Sequence, residues 1–408
     1  MRIRRWLLPL FASALLAGCV TTPRQMAPPT LIDAAIPDGF STNVRLLSID
    51  RQGFLQQSPA LLKGIRHAAD GSLDILALSG GGAGGAFGAG ALVGLSRAHA
   101  RPSFELVTGV SAGALIAPFA FLGPDWDTQL AEAFTGQASA SLQRSPLMSV
   151  ASRLLFPQGF GRHDPLAALV DHYVSDAMIA AVAREWATGR RLIVATTDLD
   201  KQETVLWDMG AIAARGGAVA RKLFRDMLVA SASVPGVFPP VLIPVHEGGH
   251  RYEEMHVDGG VTTSLFAAPL IAQILPSDLR LLRGAHLYVI VNGQLVAAPI
   301  TTRLSTPAIL ERSFSAQTTY KTRETLALTL GFAERYGLHL RVSEIPGDYP
   351  FGSFIDFRPR HLRALFDYAA ACAAQGRLWM TPEQSLHRNL DSPQPSPGGA
   401  VACPAPAP

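Results

Sequence analysis

The stretch Phe104-Glu-Leu-Val-Thr-Gly-Val-Ser-Ala-Gly113 decides the fold. Residues 104–108 are typical of a short buried strand, and the apolar run 114–122 has helical character. The G-x-S-x-G pattern between them predicts a nucleophile elbow, a sharp turn that holds Ser111 at the top of a sheet. Side chains at either glycine would clash in so tight a turn. An ordinary strand-to-helix turn is the alternative.

Other apolar runs predict further strands on both sides of this turn. They are Leu73–Leu78, Arg191–Thr197 and Ala285–Val291. Helical patterns lie between them, as at Pro165–Ala187 and Ala218–Ala230. Because strands that alternate with helices form parallel sheets covered on both faces, the sequence predicts an α/β fold with a mainly parallel central sheet flanked by helices.

A glycine-rich segment, Ser79–Gly85, directly follows the first of these strands. Its backbone can turn sharply and present several N–H groups to an anion. The same segment satisfies G-x-G-x-x-G through Gly80, Gly82 and Gly85, and Glu105 lies where a ribose-binding acid would be expected. A dinucleotide-dependent oxidoreductase is therefore one alternative, although the second strand leads into the serine turn instead of ending in such an acid.

A third motif, Val257-Asp-Gly-Gly260, ends in two glycines and is most often a turn. Together the three motifs resemble the patatin-like phospholipase family, over about residues 76–291. The pieces that carry the resemblance are Leu78–Gly82, Gly109–Gly113, the block Ala230-Ser-Ala-Ser-Val-Pro-Gly-Val-Phe-Pro-Pro240, and Asp258–Gly260. Their order and spacing both agree with the family.

The resemblance implies a three-layer α/β sandwich and a serine acyl hydrolase that needs no histidine, metal or cofactor. Ser111 would be the nucleophile and Asp258 its base. The oxyanion loop would be formed by Gly80, Gly81 and Gly82. The remaining motif glycines are Gly85, Gly109, Gly113, Gly259 and Gly260. The implied substrate is a lipid or lysolipid ester, cleaved as by a phospholipase A or a lysophospholipase.

One position departs from the family pattern. The family's glycine loop usually carries Arg or Lys where this chain has Gly84. Backbone N–H groups form an oxyanion hole, so the departure leaves the chemistry intact and puts the substrate class in doubt. We expect Gly84 to tolerate small residues, and Gly84→Arg to fold.

Histidines near the third motif offer competing interpretations. His256 lies two residues before Asp258, so on an extended segment both side chains share a face and a Ser–His–Asp triad is possible. The favoured interpretation is a solvated loop over 246–256, and the triad is the alternative. His250 and His256 with Glu253 match no compact metal motif. A structural role is favoured for Asp198, at the end of the third strand.

The composition of the chain excludes several classes of protein. The 408 residues carry a net charge of only +3, which gives no case for nucleic-acid binding. Charged residues are 16% and apolar residues 48%, which excludes a disordered chain. Residues 76–95 are uncharged but contain eight glycines, which disfavours a membrane-spanning helix. A catalytically silent envelope lipoprotein with this fold, acting as a binding module, remains a further alternative.

The first residues are typical of an export signal. A positive start, Met1–Arg5, precedes the apolar run Trp6–Ala17, which is too short to span a bilayer. The sequence Leu16-Ala-Gly-Cys19 resembles a bacterial lipobox, and Val20 fits outer-membrane sorting. We therefore expect Cys19 to be lipidated and the protein to be anchored in the outer membrane of a Gram-negative bacterium. An ordinary secretory signal is the alternative.

These observations divide the chain into five segments. They are a signal peptide at 1–18, a tether at 19–40, a patatin-like catalytic domain at 41–295, a helical C-terminal extension at 296–385 packed on the core, and a Pro-rich disordered tail at 386–408. Cys372 lies in a helix-like stretch and Cys403 in the tail. An exported chain could pair them, but a buried thiol and a separate tail thiol are favoured.

Overall fold

The computed structural model describes residues 24–27, 35–41, 44–47, 71–136, 139, 141–143, 164–265, 282–296, 299–391 and 401–404. The predicted signal peptide, Cys19, most of the tether, and residues 392–400 and 405–408 of the predicted tail lie outside the described residues. For these segments the predictions above stand as expectations.

One mixed sheet forms the centre of the described part of the chain. Its strands are β1 (Ile36–Pro37), β2 (Arg45–Leu47), β3 (Asp74–Leu78), β4 (Leu106–Val110), β5 (Arg191–Asp198), β6 (Glu203–Asp208), β7 (Val241–Glu247), β8 (His250–Asp258), β9 (His286–Val291) and β10 (His339–Glu344). The order is β1-β7-β8-β5-β4-β3-β9-β10, and β6 joins β5 to β2 away from this path. The predicted α/β class, a central sheet flanked by helices, is confirmed.

Helices cover both faces of this sheet. They are α1 (Gly85–Arg97), α2 (Ala112–Leu122), α3 (Asp127–Thr135), α4 (Pro165–Tyr173), α5 (Asp176–Ala187), α6 (Met209–Arg215), α7 (Gly217–Ser231), α8 (Thr306–Tyr336), α9 (Pro359–Ala374) and α10 (Pro382–Asp391). Alternate residues of β3 show the layers, because Leu76 and Leu78 belong to one hydrophobic core and Ile75 and Ala77 to the other. The sheet therefore separates two cores, as in a three-layer sandwich.

Five neighbouring strands, β5-β4-β3-β9-β10, are parallel. β4 and β5 are buried along their whole length, and each contains an apolar run, Leu106–Val107 in β4 and Leu192–Ala195 in β5, that can be recognised in the sequence. Parallel strands end at one edge of a sheet. The glycine-rich segment after β3 and the serine turn after β4 therefore lie at the same edge.

The other half of the sheet is antiparallel and was not predicted. β7 and β8 form a hairpin in which His246 pairs with Arg251, and β8 pairs with β5. The predicted solvated loop over 246–256 is therefore wrong. The charged residues of this segment are typical of a solvated loop, so the sequence does not indicate strands. In the structure Glu254 is nevertheless buried, because it forms an ion pair with Arg45.

The predicted helix over 165–187 is two helices. Residues 174 and 175 interrupt it, and the Ser175 hydroxyl caps α5 by accepting the Met178 N–H at 3.2 Å. Within the described ranges no single helix is long and apolar enough to span a membrane. Only α4 and α5 together pass that test, and they are bent by 66°.

The C-terminal extension is not only helical. It adds β10 to the sheet beside β9, and α9 packs against α1. The expected disordered tail from residue 386 is wrong for 386–391, which belong to α10. Cys372 and Cys403 form a disulfide, so the favoured interpretation of two separate thiols is also wrong. The tail returns to α9, where Arg377 donates hydrogen bonds to the carbonyls of residues 403 and 404.

Candidate active site

Ser111 occupies the sharp turn between β4 and α2. Its φ of 54° and ψ of −124° are rare for a residue with a side chain and cost of order 1–3 kcal/mol. Two sets of backbone hydrogen bonds hold this conformation. The Ser111 N–H donates to the Ser231 Oγ at 3.0 Å, and the Ser111 carbonyl accepts the N–H groups of Ala114 and Leu115. This is the strand–turn–helix geometry that the sequence predicts.

The serine hydroxyl meets one carboxylate. Ser111 Oγ donates to Asp258 Oδ2 at 2.6 Å, across 147 positions of the chain. Asp258 is the last residue of β8, and its pairing with Thr196 of β5 brings it to the edge of the sheet where β4 ends. Asp258 is 1% exposed and Ser111 is 6% exposed, so the pair is nearly out of contact with water.

Burial changes the proton affinity of Asp258. Removal of the carboxylate from water raises its pKa from 3.8 to about 7, although hydrogen bonds from the Ser111 hydroxyl and the Gly260 N–H oppose the rise. The Gly260 N–H donates to Oδ1 at 2.7 Å and fixes the carboxyl group. A carboxylate with this pKa is a stronger base than one in water and can accept the proton of a serine hydroxyl.

The glycine-rich segment supplies free backbone donors next to this pair. Gly80 lies against Ser111, because a Cβ on Gly80 would be 3.2 Å from the serine Cβ. The Gly80 N–H is already bonded to the Ser264 carbonyl at 3.1 Å. No described residue accepts the N–H of Gly81 or of Gly82. Of the three predicted oxyanion glycines, two therefore keep a donor available to a ligand.

Glycine is required at several of these positions by close contact. A Cβ would lie 2.8 Å or less from a neighbouring atom at Gly81, Gly82, Gly85, Gly109, Gly113, Gly259 and Gly260. Gly82 also has a φ of +54°. At Gly84 the contact is the carbonyl oxygen of Asn292, 2.0 Å from the added Cβ. The expectation that Gly84 tolerates small residues, or an arginine, is therefore wrong.

Asn292, which follows β9, is a site residue that the sequence analysis missed. Its N–H donates to Ser79 Oγ at 2.9 Å, and its Nδ2 donates to the Ser79 carbonyl at 2.7 Å. It thereby fixes the start of the glycine-rich segment and occupies the space beside Gly84. A polar residue directly after a buried strand of a parallel sheet is a signal that could have found it.

His256 is not directed at the serine. It is fully buried, and its Nδ1 is 3.0 Å from Thr196 Oγ1. Trp207 Nε1 donates to the same hydroxyl. The other ring nitrogen of His256, Nε2, lies 3.5 Å from an oxygen of Glu254. Both ring nitrogens are engaged away from Ser111, so the geometry does not support a Ser–His–Asp triad.

The other histidines near this motif lie elsewhere. His250 is exposed at the hairpin turn, and His246 Nδ1 is 3.1 Å from an oxygen of Asp38. Glu253 and His256 are three residues apart on a strand, so they face opposite sides of the sheet. The metal site considered for His250, Glu253 and His256 therefore does not form among the described residues.

A second group of possible metal ligands consists of Asp198, Glu254 and His256. Lys201 Nζ is 2.8 Å from Glu254 and 3.5 Å from Asp198, and Arg45 pairs with Glu254. Burial opposes ionisation of Glu254, but these cations hold its pKa well below the usual range. The two carboxylates already have cationic partners, which agrees with the structural role expected for Asp198.

Glu105 lies at the opposite end of the sheet from the glycine-rich segment. It precedes β4, and its carboxylate accepts the N–H of Asp74, the first residue of β3, at 2.8 Å. A ribose-binding acid has to lie near the carboxyl ends of the strands. The geometry therefore gives no support to the dinucleotide interpretation.

Two cavities meet at Ser111. The larger has a volume of about 470 Å³, and its walls include Asp258, the free glycine donors, the first half of α8 and residues 347–354. The smaller, of about 40 Å³, is lined mainly by apolar side chains such as Leu115, Phe134 and Phe238. The C-terminal extension thus forms part of the active-site wall, which the sequence analysis did not anticipate.

A family model described as patatin-like phospholipase matches residues 76–271. Two solved structures are similar to the chain. VipD from Legionella pneumophila has 12% identity and a TM-score of 0.34, with 74% of this chain and 67% of that chain covered. Human GIVD cytosolic phospholipase A2 has 11% identity and a TM-score of 0.31, with 60% and 48% covered. Both TM-scores are below 0.5, so neither likeness defines the fold of this chain. No curated protein matches.

Proposed function

We propose that the protein is a lipid acyl hydrolase that cleaves carboxylic esters with a Ser111–Asp258 dyad. The patatin-like phospholipase model that matches residues 76–271 supports this proposal. The family match supports lipid hydrolysis in general. The observation that carries the finer proposal is the 2.6 Å hydrogen bond between the serine hydroxyl and a buried carboxylate whose pKa is raised to about 7.

The first half-reaction forms an acyl-enzyme. Ser111 Oγ attacks the ester carbonyl carbon while its proton passes to Asp258 Oδ2. Negative charge develops on the former carbonyl oxygen, and the N–H groups of Gly81 and Gly82 donate hydrogen bonds to it. Such a donor is worth about 3 kcal/mol of barrier in a serine hydrolase. The C–O bond then breaks, and the leaving alcohol takes the proton from Asp258.

The second half-reaction returns the enzyme to its starting state. Water attacks the acyl carbon and gives a proton to Asp258, which passes it back to Ser111 Oγ as the fatty acid leaves. The apolar smaller cavity suits the first carbons of the acyl chain. The larger, more polar cavity suits the alcohol portion of the ester.

We propose that the substrate is an ester of the type that a phospholipase A or a lysophospholipase cleaves. The test is release of fatty acid from short-chain monoacyl esters by purified protein, with Ser111→Ala and, as a matched control, Ser313→Ala on the exposed side of α8. We expect the first variant to lose activity and the second to keep it. Wild-type turnover by Ser111→Ala would refute the dyad. A wild-type protein without any esterase activity would favour the catalytically silent binding module.

The proposal includes the location of the enzyme. We infer lipidation of Cys19 and anchoring in the outer membrane from the charged start, the apolar run and the lipobox-like Leu16-Ala-Gly-Cys19. Mass spectrometry of the membrane-extracted protein should find an acylated N-terminal cysteine. A water-soluble product that is cut elsewhere and lacks acyl mass would contradict this part of the proposal.

A further inference from the structure

Among the described residues, one positively charged side chain lines the larger cavity. Arg312, in the first half of α8, is the only Lys or Arg among the described residues that line it, and Asp258 is the only acidic one. We propose that Arg312 binds a phosphate group on the alcohol side of the ester substrate, so that the enzyme selects phosphate-bearing esters over neutral ones. This inference rests on the proposed function and names the residue that recognises the phosphate group of the substrate.

Arg312 has no anionic partner in the described part of the chain. It is half-buried, and no described residue forms an ion pair or hydrogen bond with it. By contrast, Arg45, Arg101 and Arg190 each pair with a carboxylate. A partly desolvated guanidinium without a partner is well suited to an anionic ligand, and its planar fork matches a phosphate with two parallel hydrogen bonds.

Hydroxyl-bearing residues line the same cavity from the face of α8 that carries Arg312. Ser315, Thr319 and Thr322 follow Arg312 at intervals of three, four and three residues, which places all four on one face of a helix. All four line the cavity, as does Thr318. The Thr318 Oγ1 is buried and has no hydrogen-bond partner in the structure. An unsatisfied buried hydroxyl in the wall beside an unpaired cation indicates a polar ligand.

Position 84 cannot supply a positive charge to the cavity in this chain. The Asn292 carbonyl occupies the space that a side chain at Gly84 would need. A basic side chain at position 84 is therefore excluded. In this chain the positive charge of the cavity comes instead from α8, outside the matched residues 76–271.

The two cavities set the orientation of the substrate. If the acyl chain enters the small apolar cavity, the alcohol portion lies in the cavity that contains Arg312. The phosphate would then be held while the ester carbonyl lies against Ser111 and the glycine donors. The charge contact would act mainly on binding, because Arg312 takes no part in the bond changes.

The test compares two soluble substrates that differ only in the phosphate, 1-octanoylglycerol 3-phosphate and 1-octanoylglycerol. The variants are Arg312→Gln and Arg312→Lys, with Arg323→Gln as the control, because Arg323 is exposed on the same helix and does not line the cavity. We expect Arg312→Gln to lower kcat/KM for the phosphate ester by about 10- to 100-fold, mainly through KM. We expect less than about threefold change on the neutral ester. Arg312→Lys should recover part of the loss.

A binding measurement separates this inference from the proposed function. Octyl phosphate should bind to Ser111→Ala in calorimetry, and the added Arg312→Gln substitution should abolish the binding. Equal kcat/KM of wild type and Arg312→Gln on the phosphate ester would overturn the inference and leave the esterase intact. If no ester is cleaved by wild type, the proposed function fails. Octyl phosphate binding that does not depend on Arg312 would also overturn the inference.

Discussion

Replacement of Asp258 by Asn should remove activity and stabilise the fold at neutral pH. Asn keeps the shape of the side chain, and its Oδ1 can still accept the Gly260 N–H. It cannot accept the proton of Ser111, so ester hydrolysis should fall by several orders of magnitude. It also carries no charge, so the folded protein no longer bears the free-energy cost of an ionised carboxylate that is removed from water.

The size of the stability change follows from the pKa of Asp258. In the unfolded chain this carboxyl ionises near pH 3.8, and in the folded protein its pKa is about 7. Between these values the folded state holds a proton that the unfolded state has released, so the free energy of unfolding falls as the pH rises. The difference corresponds to about 4 kcal/mol at 1.36 kcal/mol per pKa unit. This stabilisation is complete below pH 4 and is lost by about pH 8.

The assay is urea unfolding of wild type and Asp258→Asn at pH 4, 6 and 8, with the disulfide kept oxidised. The free-energy difference should grow in favour of the variant by about 4 kcal/mol from pH 4 to pH 8. Effects of the lost hydrogen-bond geometry do not vary with pH and cancel in this comparison. A difference that stays constant with pH would refute the argument that Asp258 is a desolvated carboxylate.

Three other predictions test particular contacts. Gly84→Ala should lower the free energy of unfolding by about 1–3 kcal/mol or more through overlap with a backbone carbonyl, whereas Gly331→Ala, which has open space around it, should not; equal stabilities would contradict the close approach. His256→Gln should keep fluorophosphonate labelling within about fivefold of wild type and lower stability by about 1–3 kcal/mol; complete loss of labelling in a folded variant would restore the triad. Reduction of the disulfide between Cys372 and Cys403, followed by chemical unfolding, should cost about 3 kcal/mol; an unchanged midpoint would contradict the pairing.

The local part of the fold could be predicted from the sequence. Residues 104–113 contain an apolar strand, two glycines and the start of a helix, and each of these depends only on neighbouring residues. Asp258 could be singled out because the resemblance fixed its role, although its pairing with Ser111 spans 147 positions. The antiparallel hairpin escaped prediction because a charged residue such as Glu254 is typical of a solvated segment. Its burial is compensated by ion pairs with Arg45 and Lys201, which lie far from it in the sequence.

The contacts that complete the active site join residues that lie far apart in the sequence. The carbonyl of Asn292 excludes a side chain at Gly84, 208 positions away, and no local pattern carries that information. Arg312 lines the cavity because the first half of α8 packs against the distant residues that carry Ser111 and Asp258. The disulfide required knowledge that the tail returns to α9. In each case the sequence supplies suitable residues, and tertiary packing decides which of them meet.

The most direct test of the central claim is covalent labelling with a fluorophosphonate probe, followed by mass spectrometry of the labelled peptide. We expect the probe mass on Ser111 in wild type, no label in Ser111→Ala, and slow labelling in Asp258→Asn because the base is missing. Label on another serine, or undiminished labelling of Ser111→Ala, would contradict the account.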